Sequence, residues 1–125
     1  MKVGDYVRTK DGYISRIKEL GINVYTDLGC WSEDYVIKSS PNIIDLIEVG
    51  DLLKIEYYSL RYERRVERLF EVTFNEDNYI ALENTHCDFR IIDGEWLEND
   101  KELQPIIKSI LTKERFLRME YRIGG

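Results

Sequence analysis

Apolar and polar residues alternate along most of the chain with the two-residue period of a half-buried strand. Tyr6-Val7-Arg8-Thr9-Lys10 alternates, and so does Tyr13-Ile14-Ser15-Arg16-Ile17 after Asp11-Gly12. Asp-Gly between two such runs predicts a hairpin, because a tight turn needs the positive φ that glycine adopts without strain. Ile22-Asn23-Val24-Tyr25-Thr26 predicts a third strand, broken at Leu28-Gly29, and Tyr35-Val36-Ile37 a fourth. Ser39-Ser40-Pro41 then opens a short helical turn through Leu46, with serine placed to cap free amides and proline suited to the first helical position. So short a turn holds only if Ile43, Ile44, Leu46 and Ile47 pack against something.

The opening Val3-Gly4-Asp5-Tyr6-Val7 is echoed at Val49-Gly50-Asp51-Leu52-Leu53, each time just ahead of a strand. In the second half, residues 53–58 and 66–74 predict strands, the latter with Val66, Phe70, Val72 and Phe74 on one face and Arg68 as the exception. Residues 58–68 also permit a helical turn, through the spacing of Leu60, Arg64 and Arg68. Asn75-Glu76-Asp77-Asn78 predicts a four-residue turn, followed by strands at 79–82 and 88–92 and a second Asp-Gly turn at Asp93-Gly94 before Glu95-Trp96-Leu97. Residues 106–111 predict a strand or extended segment, and Thr112 the cap of a helix to about Tyr121, with Phe116, Met119 and Ile123 toward the core. Short strands and tight turns predict a mainly β chain of two small SH3-like antiparallel barrel units with a short C-terminal helix. The expected division is 1–48 and 49–125.

Charge narrows the partners. The net charge of −6 disfavours nucleic acid as a whole-molecule average and favours basic partners. Cys30 and Cys87 are too few and too far apart for a secreted disulfide framework, and both are expected as buried reduced thiols. Met1-Lys2-Val3-Gly4-Asp5 leads directly into a strand and the apolar runs are short, so the expectation is a cytoplasmic protein with no membrane contact.

Little in the chain suggests catalysis. His86 is the single histidine. With Cys30 and Cys87 it makes a poor zinc set, and if His86 and Cys87 lay on a strand their side chains would point to opposite faces. There is no glycine-rich phosphate loop and no serine in a nucleophile elbow. The expectation is a protein that is not an enzyme and needs no cofactor. Two charged regions remain as binding candidates. Arg61, Arg64, Arg65 and Arg68, interleaved with Tyr57, Tyr58 and Tyr62, suit a protein hot spot or phosphate and base contact; an ordinary solvated hairpin, neutralised by Glu56, Glu63, Glu67 and Glu71, is the plainer reading. Glu95, Glu98, Asp100 and Glu102 could imitate a phosphate backbone in a basic groove, or form an ordinary acidic loop. Tyrosine-rich edge strands also suggest a homodimer.

Three segments carry a resemblance: residues 1–14, the joint at residues 38–51 (Lys38-Ser39-Ser40-Pro41-Asn42-Ile43-Ile44-Asp45-Leu46-Ile47-Glu48-Val49-Gly50-Asp51), and the tail at residues 107–116. Together they resemble a large group of small accessory proteins of phages and prophages of low-GC Gram-positive bacteria. The likeness lapses between Lys54 and Asp100. It implies an accessory gene of a mobile element, with a common scaffold and one replaceable recognition region. Some small phage proteins of this kind act as anti-CRISPR or other anti-defence inhibitors. The expected partner is therefore a host protein, such as a nucleic-acid-handling defence complex in the bacterial cytoplasm. Nucleic acid itself is the alternative.

Overall fold

The computed structural model describes residues 1–116. Of the described residues, 54% are strand and 13% helical, so the chain is mainly β, with antiparallel sheets, one of them a half-barrel. It divides into two units: residues 1–47 joined by the segment from Thr112, and residues 48–111.

The first unit contains β1 (Tyr6–Thr9), β2 (Ile14–Leu20), β3 (Asn23–Thr26), β4 (Gly29–Ser32) and β5 (Val36–Ser40), in the order β4-β3-β2-β1-β5. Its fourth strand is Gly29–Ser32, not the run at residues 35–37. Leu28-Gly29 does not end the pairing; Thr26 stands opposite Gly29 across a tight turn, and the Thr26 hydroxyl accepts from the Leu28 amide. A 3-10 turn at Glu33–Tyr35 then leads into β5. Cys30 is exposed on the edge strand β4, which corrects the expectation of a buried thiol. A second 3-10 turn, Ile43–Leu46, is capped by the Asn42 side chain rather than by Ser39 or Ser40, and the Ser40 hydroxyl instead receives the Asn42 amide.

Val7, Ile17 and Val24 form a small core here, with Val36 against it. Beside them the Arg8 side chain is wholly buried, donating to the Leu46 carbonyl at 2.9 Å and to the Glu114 carboxylate at 2.7 Å. The Thr112 hydroxyl donates to the Gly12 carbonyl at 2.6 Å. Gly12 has φ +87°, and a Cβ there would collide with that same hydroxyl, so glycine is required twice over. These bonds account for the segment from Thr112 belonging to the first unit, whereas the sequence places it with the second. Thr112 caps a helical turn at residues 113–116, where Phe116 is half-buried. The expected continuation to Tyr121, with Met119 and Ile123, lies outside the described residues.

The second unit contains β6 (Leu52–Ser59), β7 (Arg64–Glu76), β8 (Tyr79–Glu83), β9 (Asp88–Ile92), β10 (Glu95–Trp96), the one-turn helix α1 (Glu98–Lys101) and β11 (Ile106–Leu111), in the order β10-β9-β8-β7-β6-β11. Its core is aromatic: Phe89 lies 5.1 Å from Phe70, 5.3 Å from Tyr57 and 5.6 Å from Trp96, centroid to centroid. The turn after β7 is two residues long, not four. Asp77 and Asn78 both take positive φ, as Asp93 and Gly94 do, which suits the twist of a tight hairpin. Phe74 leaves the face of Phe70 and Val72, because the register with β8 shifts between Val72 and Phe74. It is exposed on the outer side and meets the Tyr79 ring edge-on.

The echo in sequence is an echo in structure. Gly4 and Gly50 have φ +95° and +96°. Asp5 donates its amide to the Lys2 carbonyl and accepts from the Lys2 amide with its side chain, and Asp51 does the same with Glu48. Around each turn the same two bonds follow, Gly4 and Asp5 bracketing Ile17 and Gly50 and Asp51 bracketing Val72. Each unit also places its first strand between its second and its last.

Candidate functional site

The shared turn fixes which residues of the two units correspond, and so where they diverge. Arg8 opposite Ile14 in the first unit matches Lys54 opposite Leu69 in the second. The first hairpin closes at once, with the Thr9 amide on the Tyr13 carbonyl and a loop of Lys10-Asp11-Gly12. The second continues through four further pairs, from Glu56 opposite Glu67 to Ser59 opposite Arg64, and turns at Leu60-Arg61-Tyr62-Glu63. Residues 56–67 thus stand where residues 10–12 stand in the first unit. The turn is held by the Ser59 hydroxyl, which accepts the Tyr62 amide, and by Glu63 at φ +52°. Residues 58–68 are therefore strand, turn and strand, which resolves the choice left open by their spacing.

A cleft of about 240 Å³ opens at this end of the second unit. It is lined by Tyr57, Tyr58, Ser59, Leu60, Arg61, Tyr62 and Arg68 from the hairpin, by His86 and Cys87 from the loop between β8 and β9, and by Leu103. The Arg61 and Arg68 guanidiniums lie 5.5 and 5.9 Å from the Tyr62 ring centroid, within cation–π range. Arg68 shares the inward face of β7 with Val66, Phe70 and Val72. It sits opposite Ile55, where the apolar core gives way to the cleft. Among the described residues no carboxylate pairs with Arg61, Arg64 or Arg68.

Beneath these cations Tyr57, Cys87 and Arg68 lie close enough to act on one another's protonation. Burial raises Tyr57 above its ordinary 10.0, with the Cys87 contact adding to the rise and Arg68 opposing it. Burial likewise raises Cys87 above 9.0, with Tyr57 drawing it partly back, Asp88 and Asp100 adding to the rise and Arg68 opposing it. Both groups thus keep their protons at neutral pH, and Cys87 is a poor nucleophile.

The ten candidate residues separate. Arg61, Arg68, Tyr58 and Tyr62 line the cleft, and Arg64 is exposed at the start of β7. Arg65 is engaged in holding the fold: it donates to the Gln104 carbonyl at 2.8 Å and lies 3.5 Å from the Glu56 carboxylate. Of the acidic residues, Asp100 accepts the Arg90 amide at 2.8 Å, and Glu95 and Glu98 both pair with Lys101, at 3.7 and 3.3 Å. Glu102 is exposed. They belong to β10, α1 and its end, not to a free acidic loop. His86 and Cys87 lie in a loop rather than on a strand, so the argument from opposite strand faces does not apply. Tyr57, named with the patch, also lines the cleft, while His86, Cys87 and Leu103 join the site only through tertiary contacts. The sequence signals for the site's position were the clustered arginines and tyrosines and Arg68 interrupting an apolar face.

Among the described residues no three His, Cys, Asp or Glu are grouped to hold a metal ion, and no helix is long and apolar enough to cross a membrane. No family model, curated protein or solved structure matches the chain.

Proposed function

We propose that this chain is a non-enzymatic binding protein built of two SH3-like units, which attaches stoichiometrically to a protein partner through the hairpin end of its second unit. The shared strand order supports the SH3-like reading. So does the short helical turn ahead of each unit's last strand, at Glu33–Tyr35 in one and Glu98–Lys101 in the other. The contact surface rests on one observation: Arg61, Arg64 and Arg68 carry charge with no carboxylate partner, grouped with Tyr62 and with Tyr58 and Leu60, which are exposed. Arginine and tyrosine around a cleft are the composition of an interface hot spot. The resemblance of residues 1–14, 38–51 and 107–116 to small phage proteins supports a bacterial defence protein as the partner, with a CRISPR effector the leading candidate.

Guanidiniums beside tyrosine also suit nucleic acid, but the net charge of −6 opposes it, since non-specific affinity comes mainly from neutralising phosphates. The test is capture from host lysate with and without nuclease, followed by a gel shift at low salt. A nuclease-resistant complex of one partner protein per chain is expected. A salt-sensitive shift of purified DNA or RNA, with no protein captured, contradicts the reading.

A further inference from the structure

The cleft is more specific than a charged surface. Arg61 and Arg68 bring two positive charges to its wall, and no described carboxylate lies within ion-pair distance of either, although Asp88 and Asp100 act on Cys87 nearby. A carboxylate ligand would match one of these charges; a phosphate monoester, dianionic near neutral pH, matches both. Guanidinium forks also bind its several oxygens in pairs. Ser59, His86 and Tyr57 supply further polar groups to the lining. Leu60, Leu103 and the rings of Tyr58 and Tyr62 supply apolar wall. The space, about 240 Å³, suits one ring with one phosphate and is too small for a strand of nucleic acid.

The charge of the surroundings argues the same way. The chain as a whole is acidic at −6, and an extended polyanion meets that whole field. A single anionic group meets mainly its nearest neighbours, because salt screens the rest over about 8–10 Å.

From this we infer that the cleft is a receptor for a phosphate monoester carried on a compact ring, either a phosphorylated tyrosine side chain of the partner or a free single-ring phosphate such as a sugar phosphate. The inference deepens the proposed contact surface and rests on that reading.

Calorimetric titration of the full chain with phenyl phosphate tests it. Saturable one-to-one binding is expected, at least tenfold tighter than benzoate. Arg61→Gln and Arg68→Gln should each weaken it at least tenfold. Arg61 lies in an exposed turn, so its variant keeps the test valid should Arg68→Gln fold poorly, which melting curves would reveal. Titration with a phosphotyrosine peptide and with glucose 6-phosphate separates the two sources, and tight binding of either supports the site. Benzoate binding as tightly as phenyl phosphate overturns the inference, as does no saturable binding of phenyl phosphate. An oligonucleotide binding more tightly than the monoester also overturns it. If phenyl phosphate fails to bind but an Arg61→Ala/Arg64→Ala variant still loses its protein partner, only the ligand assignment falls. If phenyl phosphate binds and does not compete with the partner, the ligand assignment stands and the contact surface falls.

Discussion

The two units begin alike and end differently. Both open on a Gly-Asp turn with the same backbone bonds, and both set the first strand between the second and the last. The first closes its leading hairpin after Thr9 and fills the adjoining space with a partly buried ion pair, Arg8 and Glu114, and with Thr112 on Gly12. The second prolongs the same hairpin, builds its core from Tyr57, Phe70, Phe89 and Trp96, and leaves the extended end open around Arg68. A charged arginine in the first unit is thus engaged in holding the fold, while Arg61, Arg64 and Arg68 at the end of the second have no carboxylate partner among the described residues. On the proposed reading, the repeated scaffold carries recognition where the repeat departs from itself.

The sharpest way to break this contrast is to remove Glu114. Glu114→Ala strips its carboxylate from a buried guanidinium and should cost about 3 kcal/mol, read from urea unfolding. A loss under about 1 kcal/mol would mean that the pair does not hold the first unit together. A smaller effect tests the likeness of the two turns. Gly4→Ala and Gly50→Ala force a Cβ into a left-handed backbone, and each should cost about 1–2 kcal/mol. Unequal losses would argue that one turn matters more than its bonds indicate. Within the hairpin end, Arg65→Ala should cost about 1 kcal/mol, for the lost bonds to Gln104 and Glu56. Arg64→Ala should change stability by less than about 0.5 kcal/mol. Equal losses would blur the line between arginines that hold the fold and arginines that are free.

The mildest effect is alkaline. Burial raises Cys87 and Tyr57 above 9.0 and 10.0, so the folded unit favours their protonated forms. The stability they contribute is complete below a pH of about 9 and is lost as pH rises through the folded values. Cys87→Ala should flatten the fall in melting temperature between about pH 9 and pH 11; an unchanged slope would show that Cys87 has no part in it.

Sequence reading went furthest where physics is local. Alternation placed most strands, and the repeated Val-Gly-Asp marked the two turns because glycine and aspartate dictate that backbone by themselves. It failed where the outcome depends on a neighbour. Gly29 looked like a breaker but pairs with Thr26, and Phe74 kept the right spacing until an extra residue reversed its face. Asp77-Asn78 was a turn signal read too broadly. At the site, the arginines and tyrosines were visible as a cluster. Only tertiary contacts bring Cys87 to Tyr57, set Arg65 on Gln104, or engage Glu95 and Glu98 with Lys101.

The central claim is that the extended hairpin of the second unit is the contact surface. It is tested most directly by the mass of nuclease-treated complexes, measured by light scattering after gel filtration. The wild-type chain should elute with its partner at one-to-one mass, and so should a Glu95→Gln/Glu98→Gln/Glu102→Gln variant. Arg61→Ala/Arg64→Ala/Arg68→Ala, folded by circular dichroism, should elute without the partner. Retention of the partner by the arginine variant, with its loss from the glutamate variant, would contradict the account.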